Sequence, residues 1–173
     1  MTFLPEEFLP FGTPAWFLFA GIALFGRTAD LLSTWIATPN LTLEGNPIAR
    51  RLGWRWGIPV NLLAALALGC QPTLAIAVGT TSFLVAARNL QSAWVMRSMG
   101  EWQYRLWMSE RLAEAPRGLA LGCFLGEAGL TVLPGVALLV FAGDQMLPMG
   151  IGLGLVAYSA AVAFFTVLAL LRR

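Results

Sequence analysis

Apolar residues fill this chain in five long runs, separated by short polar segments instead of by a two-residue alternation. The runs cover about 14–37, 54–71, 72–96, 119–142 and 147–171. Each is near the ~20 residues a helix needs to cross the hydrocarbon core, the second being the shortest. Runs two and three are separated only by the Gly69-Cys70-Gln71-Pro72 corner, where proline ends one helix and can begin the next. The pattern predicts an all-α fold: one integral membrane domain over residues 1–173, a transmembrane bundle of five spans. The segment 97–117 mixes aromatic and charged residues. It is expected as a helical extension on the cytoplasmic side or a helix lying in the interface.

Composition supports lipid as the solvent. Hydrophobic residues make up 58% of the chain and charged residues 12%, more apolar surface than a soluble domain of 173 residues can hide. The mean hydropathy is +0.72. The net charge of +2 gives no sign of nucleic-acid binding. All eleven basic residues are arginine. Without histidine the chain lacks His-ligated haem, most zinc and copper sites and Ser-His-Asp hydrolysis; without lysine it lacks Schiff-base and P-loop chemistry. No cofactor is indicated. Cys70 and Cys123 lie at different expected depths and read as small buried hydrophobes.

The arginines orient the bundle. Arg50, Arg51 and Arg55 flank the first connection, Arg97, Arg105, Arg111 and Arg117 the second, and Arg172 and Arg173 end the chain. Five spans bring these to one side and leave Glu6, Glu7 and Asp144 on the other. By the positive-inside rule the N-terminus is outside and the C-terminus cytoplasmic, in a bacterial inner membrane. The first ten residues lack the basic region of a cleaved signal and are expected to be retained. Trp54, Trp56, Trp94, Trp102 and Trp107 fall near the arginine-rich boundary, as an aromatic belt does.

Four ionisable residues interrupt the apolar runs: Arg27, Asp30, Arg88 and Glu127. Charges inside a membrane are costly and need partners or a function. At ~1.5 Å per residue all four lie in the cytoplasmic half, roughly 9–14 Å from the interface. Arg27 and Asp30 share a helix face at i, i+3. Arg88 and Glu127 can reach the same layer from two other helices, with Asn89, Ser33 and Thr34 adding polar groups. The expectation is one polar centre, either an ion-pair network that fixes register or a site for an anion, a lipid headgroup or a proton.

Small residues recur every fourth position at Gly118, Gly122 and Gly126, and at Gly150 and Gly154. Such faces let helices approach closely. The expectation is that spans four and five pack together through them, the alternative being contact with another membrane subunit or a second copy. Pro134 should kink the fourth span.

A second polar group, Glu44, Asn46, Arg50 and Arg51, lies at the expected inner mouth, and Asn46-Pro47 signals a helix start. Asp30-x-x-Ser33-Thr34 followed by Glu44-x-Asn46-Pro47 resembles an uncharacterised family of small bacterial polytopic membrane proteins, over about the first 50 residues. The resemblance implies that Asp30, Glu44 and Asn46 act together, and carries no activity with it.

These features favour a non-catalytic integral membrane subunit, an accessory or assembly component of a larger complex. The alternatives are a small solute or ion transporter using the Arg/Asp/Glu centre, and an intramembrane enzyme acting on a lipid phosphate. No nucleophile constellation supports the enzyme, and no internal repeat supports the transporter.

Overall fold

A computed structural model describes residues 8–171, with side chains described to residue 168. Glu6, Glu7, Arg172 and Arg173 therefore lie outside the described residues. The fold is all-helical: α1 Pro14–Ala37, α2 Pro47–Leu68, α3 Pro72–Met99, α4 Glu101–Glu114, α5 Arg117–Phe141 and α6 Met146–Leu171. Four of these, α1, α3, α5 and α6, are long and apolar enough to cross a membrane. The fifth expected span, α2, falls short in apolarity, because three arginines fall within its first nine residues.

Local chemistry explains the helix starts. Thr13 caps α1, its Oγ accepting from the Trp16 N–H at 3.2 Å, and Pro14 fills the first helical position. Asn46 caps α2, its Oδ1 accepting from the N–H groups of Ile48 at 2.9 Å and Ala49 at 3.4 Å. Within α2, Gly53 takes φ +60° and ψ −170° and breaks the helix into two pieces. The second piece begins at Trp54, where the apolar run itself begins. Gly100, at φ +82°, turns the chain from α3 into α4.

The contacts define an open row of helices in the order α2, α1, α3, α6, α5. α1 and α3 run parallel along their length: Gly26 meets Gly79, Arg27 meets Ser82, and Thr34 meets Asn89. A Cβ at Gly26 would lie 2.8 Å from the Gly79 Cα, so these backbones touch only because both residues lack side chains. α2 runs antiparallel to α1, with Trp54 at Pro39, Asn61 at Arg27 and Gly69 beside Trp16. α6 is parallel to α3 and antiparallel to α5.

The glycines distribute differently from expectation. Gly150 and Gly154 pack against Ile76 and Thr80 of α3, not against α5. The α5–α6 contact is made instead by Gly135 and Gly152, near the far end of α5. Gly118, Gly122 and Gly126 have open space where a Cβ would project. The reason is the row itself: α6 is sandwiched between α3 and α5, and its glycines are divided between them, Gly150 and Gly154 towards α3 and Gly152 towards α5. α5 continues helically through Pro134.

Candidate functional site

The polar residues inside the bundle form two groups, not one centre. The first lies between α1, α2 and α3. Arg27 Nη1 donates to Asp30 Oδ2 at 2.7 Å and to Ser82 Oγ at 3.2 Å. Its Nε donates to Asn61 Oδ1 at 2.8 Å, and its Nη2 bonds the same oxygen. Asn61 Nδ2 in turn donates to the Gly57 carbonyl at 2.7 Å. One guanidinium thus ties three helices together, with its charge balanced by a carboxylate on its own helix. Asp30 pairs with Arg27, not with Arg88. One turn further along α1, Asn89 Nδ2 donates to Thr34 Oγ1 at 3.0 Å and Ser33 Oγ at 3.2 Å, extending the polar seam of α1 and α3.

The second group spans α3, α5 and α6. Arg88 Nη1 lies 3.2 Å from Glu127 Oε1, and the buried Tyr158 donates its hydroxyl to the same oxygen at 3.1 Å. The pair links α3 to α5, two helices that share few direct contacts and both pack on α6. The exposures separate the groups: 27% and 14% for the Arg27 and Asp30 side chains, against 37% and 41% for Arg88 and Glu127. The first pair is the more enclosed of the two.

Glu44 Oε1 accepts from the Asn46 N–H at 2.7 Å, and Asn46 then caps α2. The Glu-x-Asn-Pro stretch is a helix-starting device in this structure, and Glu44 and Asp30 are engaged by separate partners. Arg50 and Arg51 are exposed on the first piece of α2.

Three participants went unrecognised in the sequence. Asn61 is a lone polar group in the apolar part of α2, and that isolation was the available signal; Tyr158, beside Ser159 in α6, is the second. Glu101 is the third. Its carboxylate accepts from the Thr38 hydroxyl at 2.6 Å, the Asn40 N–H at 2.9 Å, the Asn40 Nδ2 at 3.0 Å and the Thr42 N–H at 3.0 Å. It braces the α1–α2 loop, where Leu41 holds φ +55°. Burial pushes this carboxyl up, but the hydrogen bonds from Thr38, Asn40 and Thr42 outweigh it and bring it down to about 2. Beside it lies an open groove of about 460 Å³ lined by Asn40, Thr42, Arg97, Trp102 and Gln103.

Among the described residues no three carboxylates or thiols converge as a metal site would require. Cys70 and Cys123 are free thiols, Cys123 exposed on α5. No protein-family model, curated protein or solved structure matches this chain.

Proposed function

We propose that the protein is a non-catalytic integral membrane subunit that associates with another membrane protein along α5. The observation that carries this reading is the unfinished edge of the helix row. α5 has α6 as its principal neighbour, and its Gly118–Gly122–Gly126 face meets nothing. In lipid a bare glycine groove is not at its most stable, and a second helix would fill it.

The same reading gives α2 a fifth crossing. It runs antiparallel alongside α1, from the level of Pro39 to that of Trp16, and so covers the depth that α1 covers. The support for a cytoplasmic C-terminus and a bacterial inner-membrane location is the charge asymmetry. Seven described arginines lie at the end that holds α4, and Asp144 is the charged residue described at the other.

The test is extraction from native membranes in mild detergent, followed by mass measurement of the intact particle. A fixed assembly, weakened by Gly122→Leu while the helical content is unchanged, is expected. A bare monomer, indifferent to Gly122→Leu, would overturn the proposal.

A further inference from the structure

The elbow at the start of α2 is a second feature of the fold, independent of α5. The break at Gly53 turns Pro47–Leu52 away from the axis of the rest of the helix. Arg50, Arg51 and Arg55 are exposed around this break, and none of them has an acidic partner among the described residues. The Arg55 guanidinium lies 5.8 Å from the centre of the Trp56 ring. Ile48 and Trp56 are 68% and 59% exposed.

The elbow is held firmly. Trp54 Nε1 donates to the Pro39 carbonyl at 2.7 Å, Asn46 caps the first turn, and Glu101 braces the preceding loop. The result is a fixed structure presenting three unpaired guanidinium groups beside two exposed apolar side chains. That combination matches a phospholipid at the membrane boundary: a phosphate takes two-pronged hydrogen bonds from arginine, while Ile48 and Trp56 suit the upper acyl region.

We infer that the α2 elbow, Pro47–Trp56, binds the headgroups of anionic phospholipids. The argument for anionic over zwitterionic lipid is charge complementarity. The three guanidinium groups have no compensating carboxylate within the elbow, whereas Glu44, the nearest acidic residue in sequence, is engaged by the Asn46 N–H. Each arginine near an anionic surface contributes attraction that zwitterionic lipid lacks.

The experiment uses the full chain in vesicles of phosphatidylcholine and phosphatidylglycerol. After mild delipidation, retained lipid is counted by mass spectrometry. Wild type is expected to retain phosphatidylglycerol preferentially, and the preference should fall roughly fivefold for each of Arg50→Gln, Arg51→Gln and Arg55→Gln. Arg105→Gln on α4, another exposed arginine at the same end, should leave it nearly unchanged. The single variants are read alongside the triple, so that a triple variant that fails to fold does not decide the outcome. No preference in wild type, or equal losses from Arg105→Gln and Arg51→Gln, would overturn the inference. A preference that survives all three elbow substitutions would overturn it as well.

Discussion

Arg88 and Asn89 are consecutive residues of α3 that serve different helices. Arg88 reaches Glu127 on α5, while Asn89 donates to Ser33 and Thr34 on α1. Successive residues of an α-helix point about 100° apart, so a helix in the middle of a row can carry a separate polar partner on each flank. α3 thereby divides the polar interior into an enclosed group towards α1 and an open group towards α5. The two groups should respond differently to the same kind of substitution.

Removing Arg27 leaves the largely enclosed carboxylate of Asp30 without its counter-charge, and Asp is too short to carry its charge to the interface. Arg27→Met is expected to lower stability by about 3 kcal/mol. The double variant Arg27→Met, Asp30→Leu should regain much of that loss. Equilibrium unfolding in mixed micelles measures both, and a double variant at least as unstable as the single would refute the pairing.

Glu127→Gln should cost less, about 1 kcal/mol. The amide oxygen still accepts from Tyr158, and the long stem of Arg88 can extend its freed charge towards the interface. In the same unfolding assay, a loss as large as that of Arg27→Met would show that the open pair is as enclosed as the first.

Glu101 makes the α1–α2 loop acid-sensitive. Its carboxyl sits at about 2 in the fold, below the ordinary 4.5. A depressed carboxyl stabilises the fold fully above its unfolded value, and the contribution fades as pH falls from about 4.5 to about 2. At neutral pH, Glu101→Gln should speed amide exchange at Asn40 and Thr42. Near pH 2 the variant and wild type should converge. Equal exchange at neutral pH would mean that the loop holds itself.

The glycines give a contrast within one residue type. Gly26→Ala drives a methyl into the Gly79 backbone and should cost about 1–3 kcal/mol. Gly122→Ala meets open space and should change the stability of the isolated chain by no more than about 0.5 kcal/mol. Thermal unfolding of the two variants side by side checks the difference.

Much of this architecture is local and therefore readable from residues in order. α1 begins at Pro14 because Thr13 caps it, and Arg27 meets Asp30 because i, i+3 places them on one face. The order of helices in the row is set by contacts between distant segments, and it decided what the local pattern could not. It sent Gly150 and Gly154 to α3, and it split one expected polar centre into two. It also gave the bracing of the α1–α2 loop to Glu101, about 60 residues away, a partnership with no local signature in the α1–α2 segment. α2 falls short of a clear span because Arg50, Arg51 and Arg55 precede its apolar stretch within one helix.

The Arg27–Asp30 pair has a consequence for synthesis. Both partners emerge from the ribosome within the same helical turn, so α1 can neutralise its own charges before any later segment exists. Asn61 and Ser82 arrive afterwards, as α2 and then α3 are made, and find a dipole already formed. The first helix thus enters the membrane carrying its anchor for the second and third, and the order of translation becomes the order in which that anchor is completed.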